Sequence, residues 1–215
     1  MKISVLIPTK NEPLINELID EIHQNLKKFR HEIIIIDKSD ISPEIKNAKL
    51  VIQKTDGLGK AVLEGLPYAI GDVIVTMDGD FSHDPKDLPK LIEKTKEYDI
   101  VIGSRFVSGG ITEDETHRKF ISKVFRNLSS FILRINIEDP MSGFTAIKRN
   151  VYETLQLNPI GYKINMEILY KGKFFDFKVT EVPIFFHKRK AGKSKAKLKE
   201  ALRTLIFIFK LKFGI

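Results

Sequence analysis

The sequence has no cysteine in its 215 residues, which excludes disulfide bonds and thiolate metal sites. A metal ion would need oxygen or imidazole ligands. No apolar run approaches the length of a membrane-spanning helix, and the N-terminus enters a strand-like segment directly, unlike a signal peptide. These absences predict a cytoplasmic protein. The length fits one large domain, or one domain with a tail.

Acidic residues are missing from one segment near the C-terminus. Between Lys188 and Lys199 the chain has seven basic residues and no acidic one, within a net charge of +8. Such a tract suits an anionic lipid, a phosphorylated ligand or nucleic acid, or else it is a solvated basic segment. No basic stretch with interleaved aromatic residues lies on a recognisable nucleic-acid-binding fold, so nucleic acid is not expected as a partner.

Strand-like and helix-like segments alternate along the first half of the chain. Strands are predicted over residues 2–7 (closed by Pro8), 32–36, 50–52, 72–77 and 100–104, and helices over residues 14–29, 58–69 and 85–96. This alternation implies right-handed crossovers and a mostly parallel sheet flanked by helices, an α/β fold. The second half predicts a helix over 119–133 and strands over 145–147 and 174–182. We expect a domain over 1–186 and a basic, helical tail over 187–215.

The pair Asp78 and Asp80 directly follows the apolar run of residues 72–77. Two carboxylates at the end of a buried strand repel each other unless a positive charge lies between them. A divalent cation meets that need and can in turn hold a diphosphate. Gly79 would let a ligand approach the backbone. The alternative interpretation of the pair is a simple turn, and Asp84 is interpreted only as a helix cap.

Glycine is absent where a nucleotidyltransferase would be expected to carry a glycine-rich loop, directly after the first strand. Residues 8–12 read Pro-Thr-Lys-Asn-Glu instead. This absence argues against nucleotidyl transfer and for a different use of a nucleotide. Gly57 and Gly59 open a predicted helix whose N-terminal amides could face an anion, although a tight turn is the better interpretation of this motif alone.

Taken in order, these motifs resemble those of the inverting glycosyltransferases of family two, which have the GT-A fold. Within the family they are most similar to the enzymes that transfer mannose to polyprenyl (dolichyl) phosphate. The resemblance spans nearly the whole chain and rests on Pro8 to Glu12, Asp37, Gly57 to Ala61, Gly71-Asp72, Met77 to Pro85, Gly103-Ser104-Arg105, Arg118 with Ser122, Asp139 to Phe144, and Arg189 with Gly192, Ser194 and Lys195. Three departures are Lys38, where a second Asp is common, Lys10, where relatives often have an aromatic residue, and Ser82, where some relatives have Gln.

The resemblance implies a role for each matching position. Asp78 and Asp80 would hold Mg²⁺ or Mn²⁺ against the donor diphosphate. The nucleotide pocket would be lined by Pro8, Asn11, Glu12 and Asp37, with Asp37 at the base or ribose. The acceptor phosphate would be gathered by Arg105, Arg118, Ser122 and Arg189, with Ser194 and Lys195 as further substrate-binding residues. Residues 139–144, including Asp139 and Ser142, would shape the sugar pocket.

The implied reaction is metal-dependent, inverting transfer of mannose or glucose from a nucleoside diphosphate sugar to a polyprenyl phosphate. GDP-mannose is the favoured donor and UDP-glucose the alternative. A phosphate oxyanion is already nucleophilic near neutral pH, so no strong general base is required. A hydroxyl acceptor, on a glycan or a lipid-linked oligosaccharide, would require one, and Asp139 is the obvious candidate unless it only caps a loop. A non-catalytic module that binds nucleotide or nucleic acid is the third hypothesis.

The C-terminal segment has apolar residues at helical spacing, and lysine and arginine residues flank them. The apolar residues are Leu198, Ala201, Leu202, Leu205, Ile206, Phe209 and Phe213. Intermixed phenylalanine and lysine predict an amphipathic helix that lies on a membrane surface. Packing on the chain's own core or on a partner is the alternative. Together with the basic tract, this helix would hold the enzyme peripherally at the cytoplasmic face of the membrane that carries its lipid acceptor.

Overall fold

A sheet of seven strands forms the centre of the molecule. The computed structural model describes residues 1–113, 116–161, 163–188 and 198–214, with only the backbone of residues 116–122 and 198–202. The strands are β1 (Lys2–Thr9), β2 (Arg30–Asp37), β3 (Lys49–Ile52), β4 (Val73–Thr76), β5 (Ile100–Ser104), β6 (Ile111–Thr112), β7 (Thr145–Lys148), β8 (Val179–Pro183) and β9 (Phe185–Phe186). The main sheet has the order β3-β2-β1-β4-β7-β5-β8, and β6 pairs with β9 separately.

The mostly parallel sheet predicted from the sequence is confirmed. Strand β7 runs antiparallel to β4 and β5, and the other neighbouring strands of the main sheet are parallel. The helices are α1 (Ile15–Asn25), α2 (Leu58–Gly65), α3 (Leu88–Lys94), α4 (Thr116–Leu133), α5 (Arg149–Thr154), α6 (Ile164–Gly172) and α7 (Leu198–Phe213). Three short 3-10 turns occupy Leu66–Tyr68, Pro85–Asp87 and Lys173–Phe175.

Helices cover both faces of the sheet. Because successive side chains of a strand point to opposite faces, Ile3, Val5 and Ile7 of β1 pack with α1 and α3. Leu6, between them, packs on the other face with residues of α2, α6 and α7. The same alternation runs through β2, where each of the residues 33–36 is buried. A strand buried on both faces reads as a continuous β-branched run, which is why the sequence made these strands predictable.

Several predicted elements differ from the structure. Strand β1 continues through Pro8, because β4 pairs with β1 only from Ile3 to Leu6 and the proline interrupts no ladder on that side. The strand predicted over 174–182 begins only at Val179, after a 3-10 turn and a left-handed Asp176 with φ of 53°. Helices α5 and α6 were not predicted. No helix among the described residues is both long enough and apolar enough to span a bilayer.

Candidate active site

Polar side chains from separate elements meet at one edge of the sheet, where the parallel strands end and β7 begins. Pairing places Thr9 beside Asp37 and Thr76 beside Thr145. Ligands of parallel α/β sheets bind at this edge. The predicted residues located there are Pro8, Asn11, Glu12, Asp37, Asp78, Gly79, Asp80, Arg105, Asp139 and Ser142.

The loop from Asp78 to His83 folds back on itself and fixes the Asp80 carboxylate. Ser82 donates to Oδ1 of Asp80 from its backbone N–H, at 3.0 Å, and from its Oγ, at 2.5 Å. Phe81 has a left-handed φ of 62°, which costs a bulky residue about 1 kcal/mol or more. Its side chain is buried, and this packing holds the strained backbone in place. Strain of this kind is concentrated at functional sites.

His83 closes the same loop from its other end. Its Nδ1 accepts a hydrogen bond from the backbone N–H of Asp78 at 3.0 Å, so the ring proton lies on Nε2. Burial lowers the pKa of His83 to about 3; the Asp80 charge opposes this shift and the Arg105 charge adds to it. The imidazole is therefore neutral at physiological pH. Its Nδ1 lies 3.9 Å from Oδ2 of Asp78, a contact that is not an ion pair because the ring is uncharged.

Gly79 has a packing reason that the sequence did not reveal. A Cβ at this position would lie 2.8 Å from Cγ2 of Thr9, so the close approach of the loop to β1 already requires glycine. The approach of a ligand to the backbone at Gly79 stays a prediction.

The predicted nucleotide side of the site is held by short-range hydrogen bonds after β1 and β2. Oδ1 of the buried Asp37 accepts from Oγ1 of Thr9 at 3.0 Å and from Oγ of Ser39 at 2.6 Å. Nδ2 of Asn11 donates to Asp40 at 3.0 Å, and the Asp40 N–H donates back to Oδ1 of Asn11 at 3.2 Å. Asp37 and Asn11 thus fix the shape of the segments that follow β1 and β2. Their contacts with a nucleotide stay predictions.

Arg105 and Asp139 form a bidentate pair. Nε of Arg105 donates to Oδ2 of Asp139 at 2.8 Å and Nη2 donates to Oδ1 at 2.9 Å. The guanidinium carbon also lies 5.1 Å from the ring centre of Phe106 and 4.9 Å from that of Phe186. Both carboxylate oxygens of the buried Asp139 are therefore engaged by a cation, an arrangement that anchors Arg105 and disfavours Asp139 as a general base.

Two residues outside the predicted set support the loop before β7. Glu181 on β8 accepts the backbone N–H of Asp139 at 2.9 Å. The buried Asn165 on α6 donates from Nδ2 to the carbonyl of Ser142 at 2.6 Å, and Oγ of Ser142 donates to the carbonyl of Gly103 at 2.6 Å. Sequence reasoning missed both because neither belongs to a motif. Residues 164–169 of α6 are all buried, which removes the periodic signal of an amphipathic helix.

Gly57 and Gly59 are explained by packing against the loop that precedes α6. Gly57 has a φ of 107°, and the N–H of Gly59 donates to the carbonyl of Gly161 at 2.7 Å. A Cβ on Gly59 would lie 2.7 Å from Cβ of Pro159. These contacts agree with the tight-turn interpretation of the glycine motif.

The remaining predicted residues on the acceptor side are not placed by side chain. Arg118 and Ser122 belong to α4, where the structure describes the backbone alone. Arg189, Ser194 and Lys195 lie outside the described residues. The roles of all five stay predictions.

The carboxylate pair fits a hard divalent cation as part of its coordination shell. Asp78 is about one-third exposed, whereas Asp80 is buried. In the described part of the chain, no group of three or more His, Asp or Glu side chains is arranged to hold a metal. Mg²⁺ and Mn²⁺ prefer oxygen ligands, and Mg²⁺ is commonly held by one or two carboxylates, with water and phosphate oxygens completing the shell. The two Asp residues match that donor set.

The chain is similar in sequence to known glycosyltransferases. A family profile described as "Glycosyl transferase family 2" matches residues 4–156. The "Dolichol-phosphate mannosyltransferase" of Pyrococcus furiosus is 43% identical over 98% of this chain and 64% of its own length. The "Polyprenol monophosphomannose synthase" of Mycolicibacterium smegmatis is 32% identical over 89% of this chain and 79% of its own length. The chain thus spans less than two thirds of the Pyrococcus relative.

Solved structures share the fold. Glucosyl-3-phosphoglycerate synthase from Mycobacterium tuberculosis, in complex with Mn²⁺, UDP and phosphoglyceric acid, aligns with 100% of this chain and 79% of its own at a TM-score of 0.79 and 21% identity. The same synthase with Mg²⁺ and UDP covers 100% of this chain and 80% of its own, at a TM-score of 0.73 and 20% identity. This likeness confirms the GT-A fold implied by the sequence resemblance.

Proposed function

Because this chain belongs to glycosyltransferase family 2, we propose that it transfers a hexose from a nucleoside diphosphate sugar to a polyprenyl phosphate. Mannose is the favoured sugar, since the relatives from P. furiosus and M. smegmatis are named for mannosyl transfer. GDP-mannose is the donor we favour, with UDP-glucose as the alternative. The observation that carries the proposal is the Arg105–Asp139 pair beside the loop of Asp78 and Asp80.

The donor would bind through its diphosphate, with Asp78 and Asp80 holding Mg²⁺ or Mn²⁺ against it. When bound, the cation supplies Lewis-acid neutralisation of the leaving diphosphate. The protein's own contribution is to fix the carboxylates: Ser82 holds Asp80, and His83 holds the backbone of Asp78. Support from similarly folded proteins is the presence of Mn²⁺ or Mg²⁺ in structures of the mycobacterial synthase.

The acceptor side favours a phosphate over a hydroxyl. A hydroxyl acceptor needs a general base, and Asp139, the obvious candidate, has both oxygens paired with Arg105. A phosphate acceptor needs instead a cation held in a fixed orientation. Arg105 provides one, because its bidentate pair with Asp139 and the flanking Phe106 and Phe186 rings fix the plane of its guanidinium group. Of the Arg105 side chain, 13% stays exposed.

The proposed step needs no proton transfer. An oxygen of the acceptor phosphate attacks the anomeric carbon and forms the new C–O bond. The bond from that carbon to the diphosphate oxygen breaks, and the nucleoside diphosphate leaves with the electron pair. Attack opposite the leaving group inverts the anomeric centre.

A comparison of two matched acceptors tests the proposal. We expect transfer from GDP-mannose to a polyprenyl phosphate and none to the polyprenol of the same chain length, because only the phosphate is ionised near neutral pH. Thin-layer chromatography of labelled product measures both reactions, and NMR of the product gives the anomeric configuration. Transfer to the alcohol or to a glycan, with none to the phosphate, would contradict the proposal and favour the hydroxyl-acceptor hypothesis.

The proposed membrane contact is a surface that joins the C-terminal end of α4, the 3-10 turn after α6, and α7. We name it the phenylalanine surface; its members are exposed to between 50% and 84%: Phe131, Phe174, Phe175, Phe209 and Phe213. Lys173 links the 3-10 turn to the end of α4, since its Nζ donates to the carbonyl of Leu133 at 2.8 Å. Burial and the nearby charges of Lys212 and Arg134 lower the pKa of Lys173. Exposed aromatic side chains among cations suit an anionic lipid surface.

Helix α7 has a second, buried face. Thr204, Phe207 and Ile208 pack into the core, whereas Phe209 and Phe213 are exposed. One face of the C-terminal helix therefore packs on the chain's own core. The exposed face, with Phe209 and Phe213, is the one we propose for membrane contact. Location on the cytoplasmic side stays a prediction from composition.

Substitution of the phenylalanine surface tests the membrane contact. The triple variant Phe131→Ser, Phe209→Ser and Phe213→Ser should lower flotation with phosphatidylcholine–phosphatidylglycerol vesicles about tenfold or more, because each lost ring removes apolar area from the bilayer. The control is Ile41→Ser with Ile70→Ser, which removes exposed apolar side chains elsewhere and should change little. Unchanged flotation of the triple variant would exclude this surface.

A further inference from the structure

We propose that His83 is a positioning residue for the metal-binding site: its Nδ1, as a neutral hydrogen-bond acceptor, fixes the backbone of Asp78 and so the direction of the Asp78 carboxylate. The inference rests on the proposed function, because it assumes that Asp78 and Asp80 hold a divalent cation. It adds a residue that the predicted set did not contain.

The need for an acceptor arises where β4 ends. Strand β4 pairs with β1 up to Leu6, and the Met77 N–H still donates to the Leu6 carbonyl at 3.3 Å. Beyond that point no strand ladder receives the N–H of Asp78, and Nδ1 of His83 receives it at 3.0 Å. A backbone N–H at a part-buried position is unfavourable without a partner. Without this bond, we expect the Asp78 backbone to rotate so that its N–H meets another acceptor.

Gly143, in the loop before β7, lies close to both the Asp78 carboxylate and the His83 ring. A Cβ at Gly143 would lie 3.2 Å from Oδ1 of Asp78 and 3.4 Å from Cε1 of His83. Any side chain at this position would therefore crowd the carboxylate and the ring together. Asp80 is held separately by Ser82, so the hydrogen bond to His83 contributes to where the first carboxylate stands relative to the second.

The imidazole is itself held in a fixed orientation. It stacks on Phe144, with ring centres 4.9 Å apart and planes inclined by 27°, and meets Phe186 edge-on at 5.3 Å. Only 2% of the side chain is exposed, so the ring does not reach a substrate directly. Phe186 also lies under the guanidinium of Arg105. Phe186 thus contacts both His83, which anchors Asp78 on the donor side, and Arg105, which lies on the acceptor side.

Three variants separate the hydrogen bond from the volume of the ring. His83→Asn keeps an acceptor near the position of Nδ1, His83→Gln moves it toward the position of Nε2, and His83→Phe keeps the ring without an acceptor. The probe is Mn²⁺ alone, titrated into the full chain and followed by the EPR signal of free Mn²⁺. We expect His83→Asn to bind within about threefold of the wild type, and His83→Gln and His83→Phe to bind about tenfold more weakly.

The outcomes distinguish this inference from the proposed function. Asp80→Asn is titrated in parallel, and if it leaves Mn²⁺ affinity unchanged, the carboxylate pair is not a metal site and both fail. If Asp80→Asn abolishes binding while a folded His83→Gln or His83→Phe variant binds like the wild type, only the role of His83 is overturned. Circular dichroism in chelator identifies the folded variants. If only His83→Asn folds, a tenfold loss of affinity in that variant overturns the inference and near-wild-type affinity supports it.

Discussion

Replacing Asp80 with Asn is expected to lower the rate of sugar transfer about a thousandfold, because the metal's stabilisation of the leaving diphosphate is worth several kcal/mol and each 1.36 kcal/mol is a factor of ten. The substitution keeps the contacts with Ser82: Oδ1 of Asn can still accept from the Ser82 N–H and Oγ, as Asp80 does at 3.0 and 2.5 Å. What it removes is the charge. Chelation of divalent metal should have a similar effect in the wild type, and added Mn²⁺ or Mg²⁺ should restore the wild type only.

Asp84→Asn is the matched control, because it removes a carboxylate from the same loop. Asp84 caps the following 3-10 turn by accepting the Lys86 N–H at 2.9 Å, and Asn caps as well as Asp. Its activity should stay close to that of the wild type. In chelator, circular dichroism should show Asp80→Asn folded like the wild type, since Asn keeps an acceptor for both Ser82 donors. Full turnover in chelator would instead exclude a metal-dependent reaction and favour the simple-turn interpretation of Asp78 and Asp80.

The central strands and the carboxylate pair were predictable because each has a local cause. Strands β1, β2 and β4 are covered on both faces, so their sequences are continuous apolar runs between helical patterns. Asp78 and Asp80 interrupt such a run at its end. The prediction of Asp84 as a cap is confirmed for the same reason, since a cap is recognised from its immediate neighbours.

Long-range contacts were not predictable, and they decide most of the site's geometry. Arg105 and Asp139 pair across 34 positions of sequence, and nothing in either neighbourhood indicates the other. The contact between Asn165 and Ser142 was not predictable either. Asn165 lies on α6, whose residues 164–169 are all buried, so its sequence lacks the alternation of apolar and polar residues that indicates a helix. Sequence reasoning assigned Arg105 and Asp139 to separate tasks. The structure makes them one unit, and this unit bears on the choice between phosphate and hydroxyl acceptors.

Breaking the Arg105–Asp139 pair is expected to have the second large effect on activity. Arg105→Lys keeps the positive charge but cannot form the two parallel hydrogen bonds with Asp139. We therefore expect kcat/KM for the phosphate acceptor to fall about a hundredfold, with little change in the KM of the donor. Asp139→Asn should have a comparable effect, because it removes the carboxylate charge from the pair. Since both changes break the same pair, the double variant should lose much less than the product of the two single losses.

The control is Arg149→Lys, at the opposite edge of the sheet. Arg149 is partly buried like Arg105, and it also donates two hydrogen bonds from its guanidinium group. Nε and Nη2 of Arg149 donate to the carbonyls of Gly71 and Ala69, both at 2.8 Å, so the lysine variant is expected to lower stability and spare kcat/KM. The pattern that would contradict the pairing is a large loss in Asp139→Asn, a shifted pH–rate profile and a nearly normal Arg105→Lys. Asp139 would then act on a proton rather than on Arg105, as a hydroxyl acceptor requires. The comparison of these two variants therefore separates the phosphate acceptor from the hydroxyl acceptor through the protein's own residues.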